Sequence, residues 1–571
     1  MSRVFSKDLP FCMGKRVTIN GWMHGVRSLG RITFLLVRDR DGISQVVLDS
    51  TESDKLKECH VGTVLSVSGL VSASRSKDGK PELKESIVTI ISKVSSVPPL
   101  DYTRPTFDVD LDFLLDCRGV SIRHSAVSSI FKVQSEIAFV FRKYMREQVG
   151  AREFFGPCLL PGSSEGGAEI FFTDHFGSVA TLAQSNQLYK QILVGVYERV
   201  FAIMPFFRAD PSHTTRHLSE GKQMEFEAAF SSLCELMTHL EDFIRDVARQ
   251  LYHLYPELDS LPLFPEGKFP SISFAEAREL LKDDSLSDLG SDEERKLCSW
   301  AREKYCSDFL FITHWPNASR PFYSLPSKSA GETETFDLLC RGIEIVSGGM
   351  RRFTHDQVLE GLSEHRLSPI PLQGYLQAFQ SGMPPHGGFG IGLERLTMAL
   401  LDLKNIREAS LFPSDARRIA SEKQLILGGE SIRSEMIKSL RRRCLSFSVE
   451  ISAPKCSEGV KALLLIGKRS GTIFQANLAL SSKLQMKLLS ALVGEPLTFA
   501  QTDVIEEKFG LKEGSIPPAG PLFGVRTFLD RRVMELSETI HFSSGRPGES
   551  ITLNGTFPIF GPQEIVDISV V

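Results

Sequence analysis

Three stretches of the chain gather residues that could handle a polyphosphate. Residues 206–220 (FFRADPSHTTRHLSE) carry Arg208, His213, Arg216 and His217 beside acidic residues. Two strands joined by a polar loop would aim these cations at phosphate oxygens, which a guanidinium fork grips two at a time. A solvated surface hairpin would show the same composition. Residues 336–352 (FDLLCRGIEIVSGGMRR) set Asp337 and Glu344 seven apart, followed by Ser347 and Arg351. Two carboxylates beside a nucleotide could hold Mg2+, which keeps several waters and takes few protein ligands; ordinary ion pairs on a surface strand are the alternative. Residues 387–396 (GGFGIGLERL) place glycines ahead of Glu394 and Arg395, so that a strand and the helix after it could approach a ligand closely. A plain strand-to-helix turn would look the same.

The elements that must position these groups follow from the hydrophobic pattern. Residues 1–100 read as a small β-barrel, with apolar β-rich runs at Val17–Arg27, Ile32–Asp39, Ser44–Leu48, Thr63–Ser72 and Ile87–Val97. Turn signals at Asp41-Gly42 and Asp78-Gly79 separate them, and a short polar, helical piece (Glu52–His60) falls between the third and fourth. Five strands with that break suit an OB-fold, a platform for single-stranded nucleic acid. Pro98, Pro99 and Pro105 mark a hinge over 101–125. A helix is expected from about Ala126, where Ile130, Val133, Ile137, Val140 and Phe141 recur at helical spacing. Residues 126–418 mix strands and helices, and within them 232–310 look mainly helical, as an insertion or lateral elaboration. Residues 419–443 form a basic linker ending in Arg441-Arg442-Arg443, and 444–571 a separate α+β unit.

Composition sets the outer limits. The chain has 571 residues, enough for three or four domains, and its 42% hydrophobic and 24% charged residues are ordinary for a globular protein. No apolar run is long enough to span a bilayer, and the first residues, MSRVFSKDLPFC, lack the apolar stretch of a signal peptide. A cytoplasmic location with no membrane partner is expected. The ten cysteines form no CxxC, which argues against a zinc site or a disulfide framework. Residues 1–100 carry 15 Lys+Arg against 10 Asp+Glu in a chain of net charge −4, so a mildly basic module joins an acidic body and could meet phosphates.

Taken together, the segments resemble the signature motifs of class II aminoacyl-tRNA synthetases, in the subgroup for aspartate, asparagine and lysine and of an archaeal or eukaryotic type. Residues 150–157 resemble motif 1, FFRAD with TTRHLSE motif 2, and GFGIGLERL motif 3. SEGGAEIF (164–171), AQSNQLYKQ (183–191), RPFYSLP (320–326), MPPHGG (383–388) and NIREASLFPSD (405–415) resemble further family blocks in the same order, over about 15–418. The resemblance implies an antiparallel sheet flanked by helices and a homodimer formed through motif 1. It implies an ATP-dependent enzyme in which Arg208 contacts the α-phosphate, Arg395 the far end of the triphosphate, and Arg216 and His217 lie near the phosphates. Asp337 and Glu344, with Ser347, would hold Mg2+. Glu165 and Gln187 would hold the substrate ammonium, and Lys190 and Arg351 the side-chain carboxylate of aspartate, with Ser347 nearby. Departures from the family pattern include Asp210 for a glutamate, Gly221 for an aromatic residue, and Glu225 for an aspartate near the ammonium.

Within this subgroup aspartate is favoured over asparagine, because two cations fit a carboxylate and an unpaired buried lysine would be costly beside a neutral amide. The acceptor implied is tRNA-Asp, with tRNA-Asn left open. The alternatives are an asparagine–tRNA ligase and a synthetase-like tRNA-binding regulator without catalysis. In the barrel, Arg27, Phe34 and Gln45 resemble the family's anticodon-reading positions, where an aromatic ring stacks a base and an amide reads its edge; alone, Phe34 would be taken for a core side chain. Residues 459–569 show a second resemblance, to the YbaK/aminoacyl-tRNA deacylase family that includes the prolyl-tRNA editing domains. GVKALLLIG, the segment 494–520, GVRTFLD and SSGRPGES carry it. It places Lys461 at the functional lysine and Gly514 to Pro518 at the G-x-x-x-P loop, and so implies hydrolysis of mischarged tRNA. His541 reads as structural.

Overall fold

The computed structural model describes residues 3–30, 32–74, 79–104, 106, 109–161, 169–176, 178–210, 214–256, 258, 260–420, 422–423, 433, 436–437, 440, 447–450, 459–512, 514–536, 539–547, 549–554, 557–558, 560 and 563–570. Two compact units emerge. One comprises 1–156, 185–205 and 214–412, the other 157–184, 206–213 and 413–571.

The first unit begins with a closed five-stranded barrel of Arg16–Leu29, Ile32–Arg38, Ile43–Leu48, Pro81–Ser92 and Val64–Ala73, in that order around the barrel. Alternation does the sorting: Leu35, Val37, Val46 and Leu48 point into the core, and the residues between them face out. The short helix Ser50–Asp54 is capped by Asp49, whose side chain accepts from the Glu52 N–H. The fifth strand starts six residues earlier than the expected Ile87. Its first half is polar (PELKES), and an apolar-run criterion passes over a strand whose outward face meets water.

The larger part of this unit is built on an eight-stranded sheet. Its order is Ser271–Ser273, Phe309–Thr313, Thr335–Cys340, Ile343–Met350, His386–Gly392, Glu220–Ala229, Arg199–Phe207 and Arg152–Glu153. The centre is antiparallel, and the outermost pairs at both edges are parallel. Helix Ser125–Glu147 places Val133, Ile137, Val140, Phe141 and Tyr144 on one buried face, as its spacing predicts.

The expectation of a lateral insertion over 232–310 is not met. Helix Leu233–Leu254, started by a Ser232/Glu235 capping box, buries Leu236, Leu240, Phe243, Ile244, Val247 and Leu251 in the principal core. Strand Ser271–Ser273 then extends the sheet. Helical periodicity was read correctly there, but periodicity does not say which core a helix joins.

The second unit contains a mixed sheet ordered Phe447–Glu450, Ser550–Asn554, Thr539–Ser543, Gly459–Gly467, Ile473–Ala479, Arg526–Asp530 and Glu564–Val566, with Leu497–Phe499 pairing onto Gly459–Gly467. It also holds a small sheet of Leu159–Leu160, Ser178–Leu182 and Phe172–His175. Met436 and Leu440, expected within a linker, are fully buried among Val460, Leu464, Phe523 and Leu529. Two apolar residues four apart in a basic stretch were the available sign that this segment packs.

Phe243 is fully buried between Phe141 and Tyr144, with ring centroids 5.2 and 6.3 Å away. Phe243→Ala is expected to destabilise the sheet-bearing core by about 3–5 kcal/mol. Denaturant unfolding of the full chain measures this. A principal transition that stayed in place would return 232–310 to the status of an appendage.

Candidate active site

Helix Gln187–Tyr197 turns Gln187, Lys190, Gln191 and Val194 to one buried face, the i, i+3, i+4, i+7 pattern. Lys190 is 1% exposed. Its Nζ lies 2.5 Å from Glu225 Oε2 and 3.3 Å from Glu227 Oε2, and donates to the Phe389 carbonyl at 3.2 Å. Arg351, on the neighbouring side of the sheet's centre, donates to both oxygens of Glu227 at 2.9 and 3.3 Å and to the Gly388 carbonyl at 3.0 Å. Two cations and two carboxylates thus form one buried, charge-balanced group. Burial would raise the Glu227 carboxyl, but Arg351 and Lys190 outweigh it and hold it below the ordinary value.

Two glycines of the facing strand sit against the strand that carries these carboxylates, and at Gly388 the Phe226 carbonyl would also lie 2.1 Å from an added Cβ. Glu225 and Glu227 pair across the ladder with Gly390 and Gly388. A Cβ on Gly388 would sit 2.2 Å from Glu227 Oε2, and one on Gly390 would sit 2.3 Å from Gln223 Nε2. The glycines make room for side chains from the adjacent strand. The structure also corrects the earlier charge argument: Lys190 is already paired, so a neutral substrate side chain would not strand it. Two buried polar atoms at this group have no hydrogen-bond partner among the described residues, Glu225 Oε1 and Gln187 Nε2.

A second group lies along strands Thr335–Cys340 and Ile343–Met350, which are joined by Arg341 and Gly342, both at positive φ as a tight hairpin requires. Glu344 and Ser347 are three apart and would face opposite sides of a regular strand. A bulge resets the register: Asp337 pairs with Ser347 and Leu338 with Val346, but Leu339 pairs with Glu344. The extra residue, Ile345, returns Glu344 to the face that carries Ser347 and Asp337. Arg395, at the start of helix Leu393–Leu400, donates to the Glu344 carbonyl at 3.0 Å and lies 3.6 Å from its carboxylate. Arg216 donates to Glu294 at 2.6 Å and to the Gly342 carbonyl at 2.6 Å. His217 Nδ1 shares a 2.6 Å hydrogen bond with Thr214 Oγ1. Arg320 donates to both oxygens of Asp337, at 3.1 and 2.5 Å, and to Ser347 at 3.2 Å.

For a divalent cation, Asp337, Glu344 and Ser347 offer hard oxygen donors of the kind Mg2+ takes, but Asp337 and Ser347 already accept from Arg320. Among the described residues no cluster of three or more His, Cys, Asp or Glu could form a closed metal cage. Arg208 follows strand Arg199–Phe207, with its guanidinium 5.4 Å from the Phe206 ring and its buried Nε without a partner among the described residues. Glu165 and His213 lie outside the described residues.

On the barrel, Arg27 is the cross-strand partner of Phe34, and Gln45 that of Leu36. All three side chains are on the outward face. Phe34 is therefore not a core residue, since Leu35 and Val37 fill that role. Gln45 Nε2 donates to Glu82 at 2.7 Å.

In the second unit, Lys461 lies on strand Gly459–Gly467, donates to the Leu480 carbonyl at 2.9 Å, and is lowered by burial and by Lys483. It lines a cavity of about 580 Å3 with Gly514, Thr502, His541 and Ser543 among apolar Leu464, Ile505 and Phe542. Gly514 takes φ +79°, a conformation that suits glycine. Pro518 is buried and outside the cavity lining. Its carbonyl accepts from Asn477 Nδ2 at 3.1 Å, so it anchors the loop. His541, expected as structural, faces the cavity and hydrogen-bonds Thr552 at 2.9 Å.

Several contributors had readable but unread signals. Glu227 stands two residues after Glu225, the spacing for one strand face. Glu82 was missed because the fifth strand was placed too late. Arg320 lay in a recognised block without a role, and Glu294 in the stretch set aside as an insertion.

Glu294 is pushed up to about 7, first by burial and then by nearby Glu344, with Arg216 opposing. A raised carboxyl adds stability below the ordinary range near 4.5, and this is lost as pH rises toward about 7. Glu294→Gln should flatten that part of the stability–pH curve, read from denaturant midpoints. Parallel curves for the two proteins would contradict the assignment.

The geometry agrees with three family models. Residues 110–416 match tRNA synthetases class II (D, K and N), residues 17–91 match an OB-fold nucleic acid binding domain, and residues 450–557 match an aminoacyl-tRNA editing domain. The chain is 38% identical over 427 residues to an aspartate–tRNA(Asp/Asn) ligase of Thermus thermophilus, covering 73% of this chain and 99% of that one. It is 37% identical over 426 residues to an aspartate–tRNA(Asp) ligase of Pyrococcus horikoshii, covering 71% and 96%. Among solved structures, asparaginyl-tRNA synthetase from Pyrococcus horikoshii with asparaginyl-adenylate aligns with a TM-score of 0.67 and 30% identity, covering 73% and 99%. A putative aspartyl-tRNA synthetase from Leishmania major aligns at 0.65 and 26%, covering 73% and 95%. The chain belongs to the class II tRNA synthetases of the aspartate, lysine and asparagine group.

Proposed function

We propose that this chain is an aspartate–tRNA ligase with a fused module that hydrolyses mischarged tRNA. The observation that carries the first part is the buried Lys190–Glu225–Glu227–Arg351 group with the unpartnered polar atoms of Glu225 and Gln187 at its edge. Glu225 Oε1 and Gln187, with Glu165, receive the substrate ammonium, and Lys190 and Arg351 receive the side-chain carboxylate. The relatives named as aspartate ligases support that choice. The solved asparaginyl enzyme and the pre-paired Lys190 keep asparagine as the second reading.

The α-carboxylate of aspartate is ionised at neutral pH and attacks the α-phosphorus of ATP, releasing pyrophosphate without a general base. What the site must do is align the reactants and stabilise phosphoryl charge. Arg208 takes the α-phosphate, Arg395 the far end, and Arg216 and His217 lie near the phosphates. Glu344 would hold the Mg2+ that accompanies ATP, which lowers the charge of the leaving pyrophosphate. A ribose hydroxyl of the tRNA terminus then takes the aminoacyl group. Arg27, Phe34 and Gln45 read the anticodon of tRNA-Asp, or of tRNA-Asn as well. Exposed Phe139, on the helix before the motif 1 segment, and exposed Phe155 within that segment offer a homodimer apolar contacts. The described helices include none long and apolar enough to cross a membrane, in keeping with a cytoplasmic enzyme.

Aspartate-dependent exchange of pyrophosphate into ATP tests the ligase. Arg351→Leu is expected to raise the aspartate requirement about a hundredfold while ATP binding persists. Exchange with neither aspartate nor asparagine in the wild type would leave the regulator reading in its place.

For residues 444–571, Lys461 and the Gly514 loop line the cavity that takes the aminoacyl end, and backbone N–H groups meet the developing oxyanion while water attacks. Lys461→Ala in the full chain should slow deacylation of a panel of mischarged tRNAs by about a hundredfold. No deacylation of any member by the wild type would reduce the module to a tRNA-binding appendage.

A further inference from the structure

The resemblance assigns Asp337, Ser347 and Glu344 to one metal. Their geometry separates them. Both oxygens of Asp337 accept from Arg320, and the same guanidinium reaches Ser347 Oγ. The pair is well covered, with the side chain of Arg320 12% exposed and that of Asp337 6%. Arg320 lies 4.1 Å from the centre of the Trp315 ring, and its main-chain carbonyl accepts from His365 Nε2 at 2.7 Å. Its buried Nε–H has no acceptor among the described residues. Glu344 sits past the bulge, half-exposed, beside Arg395.

A guanidinium keeps its proton at any pH at which a protein folds, and its fork matches a carboxylate two bonds for two. Between Asp337 and Ser347, then, a permanent cation already stands where a divalent ion would need to sit. An incoming ion would have to expel Arg320 from two hydrogen bonds to a covered carboxylate and from an aromatic face. The ion pair of Glu344 with Arg395 is longer, at 3.6 Å, and more open to water.

We propose that Arg320 is a built-in second cation of the nucleotide site. It holds Asp337 and Ser347 permanently, supplies positive charge along the face where the polyphosphate docks, and leaves Glu344 as the carboxylate that meets the ion carried in with ATP. Arg320 is a positioning residue that fixes charge and takes part in no bond-making step. The inference rests on the reading of this face as the ATP site.

The test uses full-length protein, a non-hydrolysable ATP analogue and Mn2+ in place of Mg2+, with free Mn2+ read by electron paramagnetic resonance. Asp337→Asn and Ser347→Ala should bind Mn2+ within about twofold of wild type, and Glu344→Gln should weaken it by about tenfold or more. Ser347 is exposed, so its variant keeps the test decisive if Asp337→Asn fails to fold. A loss in Ser347→Ala, or in folded Asp337→Asn, matching that in Glu344→Gln overturns the role of Arg320 and leaves the ATP site standing. Unchanged binding in Glu344→Gln overturns the assignment of the ion. Wild-type protein that takes up no Mn2+ with the analogue removes the ATP reading and this inference with it.

Discussion

Four charges held out of water set the terms for the catalytic sheet. Lys190, Arg351, Glu225 and Glu227 are each at most 5% exposed, and no one of them would be tolerable there alone. Removing one partner from such a group leaves an uncompensated charge, at a cost of about 3–5 kcal/mol. The surrounding architecture meets this demand. Helix Gln187–Tyr197 delivers Lys190, strand Glu220–Ala229 delivers the carboxylates, Arg351 follows strand Ile343–Met350, and the strand between these two carries no side chain at Gly388, where Glu227 comes close. Of the glycines of the third signature motif, Gly388 leaves room for the Phe226 carbonyl and for Glu227 of the ion network, and Gly390 for Gln223.

On the proposed function, the phosphate-binding end of the site is organised differently. Its pairs are more open: Glu344 and Arg395 are 3.6 Å apart, with side chains 36% and 24% exposed. An ion pair in that setting has modest net worth and can yield to a better partner such as a triphosphate. On the same reading the amino-acid end combines rigid pairing with two buried atoms, Glu225 Oε1 and Gln187 Nε2, that have no partner among the described residues. Buried polar atoms without partners are costly in the empty protein and are repaid on binding a ligand of matching donors and acceptors. Both groups stand on one face of the sheet, where Asp337, Ser347, Gly390 and Glu225 fall in a single cross-strand row; on the proposed function one binds by exchange of partners and the other by completion.

Sequence alone carried the identity of the motifs, the barrel and the long helices, because these rest on residue type and local period. It did not carry the bulge at Ile345. Glu344 and Ser347 are three apart in the chain, and only the register against Asp337 shows that they share a face. Lys190 and Arg351 were legible as cations, but their pairing with Glu225 and Glu227 joins positions 35 to 124 residues apart, which no window of sequence displays. Phe34 was legible as an anticodon-reading position only through the family resemblance, and alternation in the strand, with Leu35 and Val37 in the core, turns it outward. Helix Leu233–Leu254 was legible as a helix and misplaced as an elaboration, since its apolar stripe says that it packs and not against what.

The C-terminal module applies a different physical filter. Its cavity of about 580 Å3 is lined largely by apolar side chains, with Lys461 and His541 among few polar ones. An apolar cavity discriminates by shape and size, and a missing or added methylene changes binding by only about 1–3 kcal/mol. A site built on paired charges discriminates by electrostatic complement, and rejects a ligand that leaves a polar atom unsatisfied more strongly. Under the proposed function, one chain therefore applies both tests to aminoacyl groups. The first operates where charge is the distinguishing feature. The second operates where volume is, and it needs no nucleophile of its own if water attacks an ester whose carbonyl oxygen is held by backbone N–H groups. The cavity meets the ester through a loop shaped by Gly514 at positive φ and anchored by the buried Pro518 carbonyl, with Lys461, His541 and Glu549 as the titratable groups of its lining.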